Sequence, residues 1–188
     1  GGTDVNGAYV STFTVSTATG TTSVTDLAST TDLLFVLSAG QADIGTLGAN
    51  AQLSLGVAKS SSQRNQMMVS DRDNVSTSET YEVHDSDFLT RFLTVGGAED
   101  WALDYVGANA TSFSYNITNA APGVRYCVFL ALNGILSDTS TFLKTTTAAN
   151  ATQVISGLSF SSVGGIFFGG NLIAYSTITA TNQLAVGA

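Results

Sequence analysis

One cysteine, one proline and one histidine are all that the 188 residues contain of three residue types around which sites and frameworks are often built. The lone Cys127 excludes an intramolecular disulfide framework. Set between Tyr126 and Val128 in the apolar run "RYCVFLAL", it reads as a small buried hydrophobe rather than a reactive thiol. The lone His84 leaves no second imidazole for zinc and is the only histidine available as a base. Cationic residues are also scarce: two lysines (Lys59, Lys144) and four arginines (Arg64, Arg72, Arg91, Arg125) face 14 acidic residues, for a net charge of −8. Without a cationic footprint to displace counterions, a nucleic-acid partner is not expected. The same shortage argues against an anionic membrane surface. No apolar run approaches the roughly 18 residues of a spanning helix, and no leader-like pattern is read, so no membrane partner is expected either.

Charged residues of both signs make up only 11%, against about 25% in an average soluble domain. Ser, Thr, Ala, Gly and Asn supply the polar surface instead. Such a surface repels its neighbours weakly and suits packing against copies of itself or against other subunits. Hydrophobic residues reach 44% with a mean hydropathy of +0.24, enough for a packed core. The length allows one full domain, or one domain and part of another.

The pattern along the chain is that of strands. "STFTVST" (11–17) alternates Phe13 and Val15 with Ser and Thr, the period of a half-buried strand. "TDLLFVLSAG" (31–40) is a continuous apolar run, expected to be buried on both faces. "AQLSLGVA" (51–58) alternates so as to place Leu53, Leu55 and Val57 inward. "RNQMMVS" (64–70), "ETYEVHD" (79–85), "DFLTRFLTV" (87–95), "DWALDYV" (100–106), "TSFSYNIT" (111–118) and "VRYCVFLAL" (124–132) follow. Only "DFLTRFLTV" has a helical alternative, and its aromatic and β-branched content favours a strand. Gly, Asn, Asp and Ser clusters separate the runs, and Pro122-Gly123 forms a turn before the last. The expected fold is an all-β, antiparallel, jelly-roll-like β-sandwich.

The pattern then restarts. Ser140, Thr141 and Phe142 repeat Ser11, Thr12 and Phe13 at an offset of 129. "LSFSSVGGIFFGGNL" (158–172) takes the place of "LASTTDLLFVLSAGQ" (27–41), and "QLAVGA" (183–188) answers "QLSLGVA" (52–58) at an offset of 131. Residues 1–9 read as an arm, 10–137 as a complete sandwich module and 138–188 as a partial second copy. A third of a sandwich leaves sheet edges unpaired, which invites another strand. Three completions are open: further polypeptide, neighbouring subunits, or the first module's own sheets.

The series "TGTTSVTDL…TDLLFVLSAG…AQLSLGVA…QRNQMMVSDRDNVSTSETY…SFSYNIT…VRYCVFLAL" resembles a module of structural proteins in tailed bacteriophages and prophages. Gln63-Arg64-Asn65 and Ser70-Asp71 match its "Q-R-A…S-x-D" centre. Ser112-Phe113-Ser114-Tyr115 stands where "G-F-T-L" occurs, and Phe129-Leu130-Ala131-Leu132 matches its "Y-x-A-L" close. The likeness covers most of 20–135 and restarts at 140. It departs where "ASTTD" (28–32) replaces an "F-x-P". The resemblance implies a virion structural protein (capsid decoration, fibre or tail component) located in the extracellular particle, with copies of itself and other virion subunits as partners. A non-viral filament or surface-layer subunit shares the compositional argument.

Other chemistries find little purchase. "DRDN" (Asp71, Asp73, Asn74) alternates oxygen ligands like a calcium loop but lacks its glycine and bidentate glutamate, Glu82 falling in a strand. His84, Asp85 and Asp87 form one small polar cluster with no second group to complete a metal site. No serine sits in G-x-S-x-G, and nothing in the spacing of Glu99 and Asp100 selects a glycosidase pair. No catalytic residue, metal or cofactor is expected, and the chain reads as a non-enzyme. "GGIFFGGN" (164–171) has no phosphate-loop lysine and fits a buried strand or a close backbone approach at an interface. The sequons at Asn74, Asn109, Asn116 and Asn150 carry weight only in a secretory setting. The competing function is carbohydrate recognition of a host glycan, with Trp101, Tyr105 and Tyr81 as the exposed aromatic platforms. For assembly, the candidates are Phe142, Ile166, Phe167, Phe168 and Leu184.

Overall fold

The computed structural model describes residues 5–41, 50–72, 79–94, 96–142, 152–160, 164–170, 177–178 and 185–187. Among them the chain forms strands and no helix: β1 (Gly7–Val15), β2 (Gly20–Val24), β3 (Leu33–Ser38), β4 (Asn50–Ser60), β5 (Gln63–Arg72), β6 (Thr80–Asp85), β7 (Thr90–Leu93), β8 (Glu99–Asn109), β9 (Ser112–Asn119), β10 (Arg125–Asn133), β11 (Phe167–Gly169) and β12 (Ala185–Gly187). A six-stranded sheet runs β1-β10-β3-β4-β5-β6, and a four-stranded sheet runs β2-β9-β8-β7. Every pairing in them is antiparallel. The two sheets pack face to face as a β-sandwich. The wrap of a jelly roll is present in its outer turns, where β1 pairs with β10 in one sheet and β2 with β9 in the other. The meander β4-β5-β6 widens the first sheet beyond a two-by-four jelly roll. Residues 7–9, read from sequence as part of an arm, belong to β1.

Alternation builds the core from both sheets. Phe13 and Val15 point inward from β1, as their period requires, and Cys127, Phe129 and Ala131 do so from β10. Phe113, Tyr115 and Ile117 meet them from β9. The aromatic rings interlock at centroid distances of 5.0 Å for Phe13–Tyr115 and 5.1 Å for Phe113–Phe129. Each such pair adds about 0.5–1.5 kcal/mol beyond area burial. The Tyr115 hydroxyl donates across the sandwich to the Thr14 carbonyl at 3.1 Å, and burial pushes its pKa up to about 12.

Cys127 sits inside this core, and burial pushes its thiol up to about 12 against a hydrogen bond with Ser38 that acts to lower it. A thiol so placed offers almost no thiolate at neutral pH. Native protein mixed with Ellman's reagent is therefore expected to release no thionitrobenzoate over an hour, and one equivalent once guanidinium unfolds it. Prompt reaction of the native protein would place Cys127 outside the core.

Two expectations about faces change, and one about the extent of a strand. Leu53, Leu55 and Val57 do not point inward: the core face of β4 carries the small residues Ser54, Gly56 and Ala58, all buried. The reason is a close approach, because the Leu89 backbone crosses directly over Gly56. The run of β3 is not covered on both sides either. Leu34, Val36 and Ser38 are buried, whereas Leu37 on the other face is 41% exposed. Among the described residues of "DFLTRFLTV", Thr90–Leu93 is strand.

Candidate assembly surface

Two of the three aromatic platforms expected for sugar, Trp101 and Tyr105, are not on the surface. Trp101 is fully buried, its ring stacked on Phe92 with centroids 4.7 Å apart and planes 19° from parallel. Tyr105 is buried in the same core, where desolvation raises its hydroxyl to about 12. Tyr81 is half-buried and packs against that core. The expected exposure of Trp101 and Tyr105 is corrected: β8 turns both rings inward, while its acidic residues meet arginines. Glu99 holds Arg91 at 2.8 Å, and Asp100 stands 3.9 Å from Arg125.

The polar cluster around His84 is also separated by the pleat. His84 and Asp85 are consecutive in β6 and so point to opposite faces of the sheet. His84 Nε2 lies 3.0 Å from the buried Glu82, and burial lowers its pKa while Glu82 acts to raise it. Asp85 instead accepts from Arg91 at 2.7 Å, inside the sandwich. The Asp87 backbone carbonyl receives Arg64 Nε at 3.0 Å, and Arg64 also pairs with Asp104 across the two sheets. Burial raises the Asp104 pKa, and Arg64 opposes that shift. Asp71 is exposed at the end of β5, while Asp73 and Asn74 of the calcium-like loop lie outside the described residues. Of the sequons, Asn109 is exposed and Asn116 is half-buried in β9, while Asn74 and Asn150 lie outside the described residues.

What the fold does expose is apolar. The outward side of the six-stranded sheet is lined by Val10 on β1, Val128 on β10 and Leu37 on β3, which are 66%, 44% and 41% exposed. Val128 and Leu37 are direct cross-strand partners. At the β5–β6 end of this same face Met67, Val69 and Glu82 are buried. The face is thus covered at one end and open at the other. Phe168 of β11 lies in an apolar groove with Val10, Leu37, Leu55, Val128 and Leu130. Sequence reasoning missed Val10, Leu37 and Val128, although the unbroken apolar run of β3 was the signal for a second apolar face.

Of the residues expected to assemble, Ile166 and Phe167 are 58% and 46% exposed, Phe142 is exposed and Phe168 is half-buried. Leu184 lies outside the described residues. "GGIFFGGN" therefore does not form the buried strand its composition allowed. Asp138 tethers this part of the chain to the β4–β5 turn. Its carboxylate accepts the Ser159 amide and hydroxyl, each at 2.7 Å, then Gln63 at 2.9 Å and Lys59 at 3.3 Å. The Ser159 hydrogen bonds hold it well below the usual carboxylate range.

β11 and β12 form a two-stranded antiparallel sheet of their own, with Phe167 opposite Gly187, Phe168 opposite Val186 and Gly169 opposite Ala185. In the first sheet Val36 is opposite Gly56, Leu37 opposite Leu55 and Ser38 opposite Ser54. Each residue of the second set is the corresponding residue of the first advanced by 131 positions. The spacing that relates the two sequences thus relates the two registers as well. A slip of one residue would have broken the correspondence and turned every side chain over.

Comparison with protein-family models, with curated proteins and with solved structures finds no match. The functional reading rests on the chain's own residues.

Proposed function

We propose that this protein is a structural subunit that works by assembly, as a capsid decoration, fibre or tail component of a phage-like particle. The observation that carries the assembly reading is the open apolar end of the six-stranded sheet, Val10, Leu37 and Val128, adjoined by Phe168. Contiguous apolar surface of this kind is costly to leave in water and marks interaction sites. The low charge content supports the same reading, since copies can approach without strong repulsion. The virion setting is supported by the resemblance over 20–135 alone.

Sedimentation velocity on the 188-residue chain across micromolar concentrations tests the assembly reading. Oligomers are expected, and a Val10→Asp/Val128→Asp variant is expected to shift to monomer while melting cooperatively, because both side chains are substantially exposed. A wild-type chain that stays monomeric throughout would overturn the proposal. Immunogold labelling of the source material then separates the settings: label on phage-like particles upholds the virion, and label on filaments or a surface layer replaces it.

A further inference from the structure

Two observations on the second hairpin bear on what it binds. The first is its register, which gives β11 the place of β3 and β12 the place of β4. In the first module β3 has two neighbours, β4 on one edge and β10 on the other. Among the described residues β11 has one, β12. The edge that β3 gives to β10 is therefore the edge on which β11 has no described strand.

The second observation is a ring contact. In the first module β10 stands between β1 and β3, so that Phe13 and Val36 are kept at least two strand spacings apart, about 9–10 Å or more. Phe129 of β10 fills the interval: it pairs with Val36 and packs its ring 6.1 Å from Phe13. The repeat places Phe142 where Phe13 stands and Phe167 where Val36 stands. Those two rings meet each other directly, edge to face, at 6.1 Å. The contact that Phe129 makes in the first module is made in the second by the flanking side chains collapsing onto each other.

We infer that the β11 edge is an acceptor for an added β-strand of the β10 type, an extended uncharged segment with an aromatic side chain at the Phe129 position, inserted between Phe142 and Phe167. The inference rests on the assembly reading and names its partner. In the register of the first module, the incoming strand sets residues equivalent to Leu130, Phe129 and Val128 opposite Ile166, Phe167 and Phe168. Main-chain hydrogen bonds supply affinity in such strand addition, and the alternating side chains supply specificity. The specificity element is the aromatic side chain at the Phe129 position, which replaces the Phe142–Phe167 contact with two of its own. Neither side carries a charge across the three paired positions, so desolvating them leaves no ion unpaired.

A fluorescent peptide with the sequence of residues 124–133, carrying serine in place of Cys127, is the probe, and its anisotropy is followed as the 188-residue chain is titrated in. Saturable binding is expected. Phe167→Asp on the chain, at an exposed position where it leaves the sandwich intact, is expected to weaken binding at least tenfold, and Phe167→Leu to retain it. A peptide with Asp at the Phe129 position is expected not to bind. Absence of saturable binding overturns the inference, as does binding that Phe167→Asp leaves unchanged, which would put the peptide on the first module. A chain that self-associates in the centrifuge yet ignores the peptide sinks the acceptor edge and leaves the assembly reading standing. A chain that takes the peptide but never self-associates upholds the edge and sinks assembly through the outer face of the sheet.

Discussion

Trp101→Ala is expected to destabilise the sandwich by about 3–5 kcal/mol, the range for removing a fully buried large aromatic from a core. The indole is completely enclosed and stacked on Phe92, and its Nε1 finds no acceptor among the described residues. Its contribution is therefore burial and ring packing, with no hydrogen bond to subtract. The surroundings have little freedom to close the cavity, because Phe92 and Leu103 are themselves buried on the two strands that pair here. For a chain of this size, 1 kcal/mol moves the melting temperature by about 2–4 °C, so a fall of roughly 6–20 °C is expected by calorimetry. A sugar platform would behave oppositely, losing glycan affinity while melting like the wild type. Trp101→Phe, which keeps the stack and loses part of the volume, is the second measurement should the alanine variant fail to fold, and it is expected to retain most of the stability. A Trp101→Ala protein that melts within 2 °C of wild type would remove the tryptophan from the core.

The strands were legible because a period of two survives any context, but the direction of each face was not. β1 follows its pattern, with Phe13 and Val15 inside. β4 inverts it, and the cause is non-local: the Leu89 backbone approaches from the other side of the sandwich and admits only Ser54, Gly56 and Ala58 beneath it. Nothing near residue 56 in sequence reports that approach. β3 shows the same limit in another form, since a continuous apolar run states that both faces are apolar without stating that both are covered. The tryptophan was misplaced because sequence does not state which way its ring turns: Trp101 points inward, while Glu99 and Asp100 beside it meet Arg91 and Arg125. The offset of 131 read in the sequence is also the spacing between the registers of the β3–β4 and β11–β12 pairs, whereas the contact of Phe142 with Phe167 was visible only in the structure.

Gly56→Ala is the second large effect, expected to cost about 3 kcal/mol, at the upper end for inserting a methyl into a packed interior. A β-carbon at this position would overlap the Leu89 carbonyl oxygen and come within 2.8 Å of its carbon. The obstacle is backbone, so no rotamer change can relieve it. Nor can the linker simply lift, because the Leu89 amide donates to the Leu103 carbonyl at 2.9 Å and ties this segment to the opposite sheet. Gly107→Ala provides the control, since a β-carbon there meets nothing within 4 Å. Urea denaturation is expected to show a much lower midpoint for Gly56→Ala and a change within about 0.5 kcal/mol for Gly107→Ala. Equal effects at the two sites would mean that generic strand propensity, rather than the approach of Leu89, sets the cost. The comparison extends to the second hairpin, where Gly187 takes the register position of Gly56 opposite Phe167.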